Sequence, residues 1–362
     1  MSRFVWIVIS FCTPLSLFAA QVPWPTGMSP QAGDQRIVTI LQDIQRTHHV
    51  PAMGAAVVRS SGLIALGVVG WRKLGDATPV TINDQWHLGS NTKSMTATLA
   101  ARLIDRGVLR WDSTVTDSFS FVPKTWQGVT LDHFLVHRSG AVANIDWHLQ
   151  LNRTAGVRTI TAIPPTTKPG GEMLYSNAGY MMAGAMLEKA TGRSWEQLMA
   201  EELWKPLGIT AGGFGGMGTV GQIDQPWGHK PEGIVVGNGP AADNTTVFGP
   251  AGTVHMPLAD WSRYIADQLI GARAQPALLT TDSYRHLHQP WPGDTYARGW
   301  LVVPRGWAKG NALTHTGSNT MHFAVVWMAP QIDLAILVCC NQGDANAACD
   351  EVASALIKIF AK

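Results

Sequence analysis

The sequence predicts an α/β (α+β) fold: an antiparallel sheet drawn from both chain ends, flanked by N- and C-terminal helices, with a mostly helical subdomain inserted between. Three observations lead there. β-rich runs cluster towards both termini, "AMGAAVVRSSGLIALGVVGWRK" (52–73) at one and "RGWLVV", "ALTHTG", "MHFAVVWMA" and "DLAILVCC" (298–340) at the other. From Ser90 to about residue 270 the apolar spacing is mainly helical. Amphipathic helices at 35–48 and 346–360 close the two ends.

In chain order, the N-terminus reads as an address. Arg3, the apolar run "FVWIVISFCTPLSLF" and "AA" before Gln21 predict a signal peptide over 1–20, so the protein is expected to be exported, periplasmic or secreted. A lipoprotein reading on Cys12 is weaker, because bulky Phe11 stands where a small residue is wanted. Residues 21–362 then form one domain, with a sheet subdomain from about 21–86 and 297–362 and a helical subdomain from about 87–296. Ser60-Ser61-Gly62 marks a hairpin between the first two strands. Helices are expected at 90–106, 130–137, 178–190 and 195–204, with a stop at Gly192 and a capping box from Ser194 to Gln197. The Gly-rich stretch 210–221 reads as loop.

Composition excludes several classes. Hydrophobic residues make up 46% and charged residues 14% of the 362, which is a globular balance. The net charge is +2, or +1 once Arg3 leaves with the signal, and no basic run suggests a nucleic-acid partner. No later apolar run reaches spanning length, so no stable membrane span is expected. The 15 Trp are scattered, which fits core and rim packing. "HFLVH" (His133, His137) lacks a Glu and a third ligand, so no metal is expected and both histidines read as helix-surface or capping residues. Neither a G-x-S-x-G elbow, a Walker loop nor a dinucleotide fingerprint is present, so no cofactor is implied. Cys339 and Cys340 point to opposite sheet faces; one can bridge to Cys349 in an oxidising compartment, or all three can be buried thiols, and both readings stay open.

Ser90 and Lys93, in "QWHLGSNTKSMTATLAARLIDRGVL" (85–109), stand three apart where a loop becomes a helix. Residues so spaced share a helix face, so Ser90 Oγ and Lys93 Nζ can meet. A serine needs an adjacent base to become a nucleophile, and a lysine serves when burial lowers its pKa. The helix start aims free N–H groups at developing negative charge. Alone, Ser-x-x-Lys is a weak signal, and a plain serine N-cap is the first reading of it.

Two further motifs change that. "GEMLYSNAGYMMAGAMLE" carries Tyr175-Ser176-Asn177 before a helix, and "ALTHTGSNT" carries His315-Thr316-Gly317 in a late strand. In this order and spacing the trio resembles the penicillin-recognising serine hydrolases, which include D-Ala-D-Ala carboxypeptidases, class C β-lactamases and related esterases. "LDHFLVHRSGA", "LGIT" and "GPAGTVHMPLADWSRY" look like further landmarks of that family, and the likeness covers nearly all the mature chain. It implies a β-lactamase/transpeptidase-like fold and an exported serine acyl hydrolase working through an acyl-enzyme on Ser90. Lys93 would be the proton partner and Tyr175 the second general acid/base, with a phenol depressed by the neighbouring ammonium. Asn177 would hold Lys93 and the substrate amide. The oxyanion hole would be the N–H groups of Ser90 and Ser318, with Thr316 and Gly317 on the substrate-binding strand edge.

His315 departs from the Lys usual at that position in class C β-lactamases. A histidine that binds a substrate carboxylate should do so less well above neutral pH. The reading is therefore of a monomeric carboxypeptidase or esterase type, acting on peptidoglycan D-alanyl peptides, β-lactams or esters. A class C-type β-lactamase, a penicillin sensor that never turns over and an inert secreted scaffold remain alternatives.

Overall fold

The computed structural model describes residues 29–239 and 242–361; the expected signal peptide lies outside the described residues. Seven strands form one sheet in the order Gln31–Gly33, Gly62–Gly70, Ala52–Arg59, Leu334–Cys340, Phe323–Ala329, Gly310–Ser318 and Leu301–Arg305. Every neighbouring pair is antiparallel, and the two chain ends meet where Ala52–Arg59 pairs with Leu334–Cys340. The first hairpin turns at Ser60-Ser61, as expected: Arg59 pairs with Gly62, whose φ of 116° suits a glycine. The Ser60 N–H and hydroxyl donate to the Asp333 carboxylate at 2.9 and 2.8 Å, which ties that turn to the one that opens the neighbouring strand Leu334–Cys340.

The central strands are apolar throughout because both faces are covered. Met53, Ala55, Val57, Ile336, Val338 and Cys340 face helices Gln35–His48 and Asn346–Phe360. Their alternates Ala56, Val58, Leu337 and Cys339 face Leu258, Trp261, Ile265 and Leu269 of helix Leu258–Ala272. That helix belongs to the stretch read as the inserted block, yet it packs on the sheet. Cys339 and Cys340 thus lie on opposite faces, and Cys340 shares its face with Cys349 at an Sγ–Sγ distance of 3.9 Å. All three are buried free thiols.

The middle of the chain is built around helices Thr92–Asp105 and Asn177–Thr191, nearly every residue of which is buried. The latter ends at Gly192 in the left-handed conformation, and the Ser194–Gln197 capping box opens the next helix, as expected. That helix, Trp195–Leu198, continues as a π-helical turn over Met199–Trp204. The helix expected at 130–137 stops at Leu135. The stretch 210–221 is not all loop. Gly213–Phe214 pairs with Val254–Pro257, which also pairs with Gln85–His87, and this small sheet delivers the chain to Ser90. Trp86, Trp126, Trp195, Trp261 and Trp300 are fully buried, and Trp147 and Trp204 join them in the core. No described helix is long and apolar enough to cross a membrane.

Candidate active site

Ser90 lies in the single helical turn Gly89–Asn91, directly before helix Thr92–Asp105. It does not cap that helix, whose N-terminus has no side-chain cap. Its hydroxyl instead stands within hydrogen-bond distance of Lys93 Nζ, at 3.0 Å. Lys93 is fully buried, and Nζ also donates to Asn177 Oδ1 at 2.8 Å and to the Ala251 carbonyl at 2.6 Å. All three partners are uncharged. Burial without a counter-ion pushes the lysine well below its ordinary pKa, towards the free amine.

Asn177 is free to make this contact because the residue before it does the capping. Ser176 Oγ accepts from Gly179 N–H at 2.8 Å, donates to Val142 O at 2.6 Å, and so opens helix Asn177–Thr191. Asn177 Nδ2 donates to Asn144 Oδ1 at 2.9 Å, which orients the amide with its oxygen towards Lys93.

Tyr175 stands over the same lysine, with Nζ 4.9 Å from its ring centroid. The residue keeps 39% of its surface exposed, at the mouth of the site. Its phenol is not depressed as expected. Desolvation raises it to about 12, against a smaller lowering by the Ser90 hydroxyl.

His137 underlies Tyr175, which corrects its reading as a helix-surface or capping residue. It follows the helix at φ 60°, and its ring stacks 4.3 Å from that of Tyr175. Ser176 N–H donates to Nδ1 at 3.0 Å, so the ring is neutral with its proton on Nε2. Burial holds its pKa well below the usual value. His133 does cap, in a box with Thr130.

His315 also differs from expectation. Nδ1–H donates to Thr316 O at 2.6 Å and Tyr296 O–H donates to Nε2 at 3.2 Å, so both ring nitrogens are engaged. Burial lowers its pKa to about 4, so it is neutral at physiological pH and has no titration near 6.5. A neutral, doubly bonded imidazole is no anchor for a carboxylate.

The strand Gly310–Ser318 lies against the Ser90 turn. A Cβ on Gly317 would fall 2.1 Å from Leu88 O and 2.5 Å from Ser90 N; one on Gly89 would fall 2.4 Å from Ser318 N. The two glycines therefore bring the backbone at Ser90 and Ser318 together, one on each side of a common point. Ser318 Oγ is turned away, donating to His322 O at 2.8 Å and accepting from Thr320 N–H at 2.9 Å. Thr316 is exposed on the same strand. Gly317→Ala should destabilise the protein by about 3 kcal/mol in denaturant melts, because the obstructing atoms are backbone and cannot rotate aside. An unchanged midpoint would mean the two segments can separate freely.

Sequence reasoning brought Ser90, Lys93, Tyr175 and Asn177 together and missed Ala251, Asn144, His137 and Tyr296. Ala251 and His137 sit inside "GPAGTVHMPLADWSRY" and "LDHFLVHRSGA", but only their side-chain and backbone contacts give them a task.

A family model described as "Beta-lactamase" matches residues 37–357. Penicillin-binding protein 4 of Amycolatopsis lactamdurans is 25% identical, over 84% of this chain and 84% of its own. The beta-lactamase of Escherichia coli (strain K12) is 24% identical, over 72% of this chain and 67% of its own. Among solved structures, the octameric penicillin-binding protein homologue from Pyrococcus abyssi superposes with a TM-score of 0.74 at 18% identity, covering 90% of this chain and 76% of that one.

Proposed function

Since the chain belongs to the beta-lactamase family of penicillin-recognising serine hydrolases, we propose that it is an exported acyl hydrolase of carboxypeptidase or esterase type. The observation that carries this reading is Lys93. A buried amine with three uncharged partners, one of them Ser90 Oγ at 3.0 Å, is a base held ready beside its nucleophile.

Ser90 Oγ attacks the acyl carbonyl while its proton passes to the Lys93 amine. The carbonyl electron pair moves onto oxygen, where the N–H groups of Ser90 and Ser318 receive it. Tyr175, held as a phenol, gives its proton to the leaving group and recovers one from the Lys93 ammonium. The net transfer runs from serine to leaving group, and a water molecule reverses the sequence to release the acid. Asn177 keeps Lys93 in place during both halves.

His315 bears on the substrate class. Neutral and engaged at both nitrogens, it favours acyl donors recognised without a carboxylate, esters foremost. The test compares a neutral p-nitrophenyl ester with a penicillin from pH 5 to 9, following turnover and intact mass. The expected result is a preference in kcat/KM of about 10²-fold for the ester, the scale of leaving a charged acceptor without its partner. No break should appear near pH 6.5. Faster turnover of the penicillin would overturn the esterase reading in favour of a β-lactamase. A second reading, penicillin capture without turnover, draws on the likeness to Penicillin-binding protein 4 over most of both chains; a persistent adduct on Ser90 with no ester turnover would select it.

A further inference from the structure

We propose that Asp243 and His87 form a positioning dyad that sets the spacing of the oxyanion hole; the inference rests on the acyl-hydrolase reading above. His87 lies three residues before Ser90, on the short strand Gln85–His87, and neither its side chain nor that of Asp243 is exposed to solvent. His87 Nε2 stands 2.6 Å from Asp243 Oδ2, and Gly89 N–H donates to Nδ1 at 3.1 Å. A carboxylate can only accept, so the ring proton sits on Nε2 and the lone pair on Nδ1. Although burial pushes the Asp243 carboxyl up, His87 and the donors from Asn244 and Asn319 hold it below the usual carboxylate range.

The same carboxylate also reaches the opposite wall. Asn319 Nδ2 donates to Asp243 Oδ1 at 3.1 Å. Asn319 Oδ1 in turn accepts the N–H groups of Met321 and His322, at 3.2 and 2.9 Å, and so closes the turn after Ser318. The His322 ring stacks on His87, with centroids 5.8 Å apart. One buried carboxylate thus ties the Gly89–Ser90 backbone to the turn after Ser318, the two segments whose N–H groups flank the proposed oxyanion. Burying a carboxylate beside its hydrogen-bond donors adds little stability, since desolvation offsets the attraction. What this pair does is select one tautomer and, through it, one position for Gly89. Donors must lie within a few tenths of an ångström of the developing charge to act, so this spacing is where it matters.

The test uses the full chain with His87→Ala, His87→Asn and His87→Gln, assayed on the ester that the wild type turns over, with fluorophosphonate labelling of Ser90 alongside. Asn places an oxygen near Nδ1 and keeps an acceptor for Gly89 N–H; Gln reaches towards Asp243 and does not. The expected result is a fall in kcat of about 10²-fold for His87→Ala and His87→Gln, the scale of a lost oxyanion donor, with KM little changed. His87→Asn should recover about tenfold of that loss. Wild-type ¹⁵N spectra should show His87 protonated on Nε2 and bare on Nδ1, a readout that needs no variant to fold. Unchanged kcat in His87→Ala, equal losses in all three variants, or a proton on Nδ1 would each overturn the proposal. If wild-type Ser90 resists the phosphonate altogether, the acyl-hydrolase reading fails and the dyad's role fails with it; labelling with unaltered His87 kinetics removes the dyad alone.

Discussion

Ser90→Ala should abolish formation of any acyl-enzyme and lower ester turnover by about 10⁴-fold or more, since no other group can take over the bond to the acyl carbon. The fold should survive. The change removes one acceptor, while Lys93 Nζ keeps Asn177 Oδ1 at 2.8 Å and Ala251 O at 2.6 Å. The stability cost is then about 1 kcal/mol, the net worth of one hydrogen bond. Intact mass after mixing with an activated ester or a fluorophosphonate checks this directly. Wild type should gain the acyl or phosphonyl mass and the variant should not. Labelling of Ser90→Ala at the wild-type rate would place the nucleophile elsewhere and dismantle the mechanism.

Lys93→Met should be equally inactive, and its stability should diverge from wild type with pH in a direction that only a buried amine explains. In the unfolded chain the lysine titrates near 10.4, whereas in the folded chain burial places its pKa well below that value. Between those two values the unfolded chain binds a proton that the folded chain refuses. Wild-type stability therefore rises with pH through this window and declines as pH falls, by about 1.4 kcal/mol per pH unit. Methionine fills a similar volume and does not titrate, so the contribution disappears. The difference in ΔG between Lys93→Met and wild type, from urea melts at pH 7, 8 and 9, should grow in favour of methionine as pH falls. A constant difference would mean that Lys93 is charged in the folded protein. Acylation by wild type should hold through this window and fall only as pH drops through the lowered pKa of the folded state, because a protonated lysine cannot accept the Ser90 proton.

The elements, the hairpin at Ser60-Ser61 and the facing of Cys339 and Cys340 were legible from the sequence because they depend on local periodicity and turn chemistry. The meeting of Ser90 and Lys93 was legible for the same reason: three residues along a helix is a contact distance. The motif resemblance added Tyr175, Asn177 and the strand edge at Gly317. What it could not supply were protonation states, since these depend on solvent exclusion and on partners far away in the chain. Lys93 is held below its ordinary pKa by burial, and the groups packed on its Nζ come from 84 and 158 residues away, Asn177 and the Ala251 carbonyl. Tyr175 is a phenol because desolvation disfavours the phenolate. His315 is uncharged because burial and the Tyr296 hydroxyl leave it no acidic partner. His137 and the His87–Asp243 pair had no local signature, their functions arising only where separate segments pack. The sequence alone laid out most of the elements and the candidate residues of the site. The tertiary structure decided the charge on each of them, because burial and long-range hydrogen bonds exist only once the chain has closed on itself.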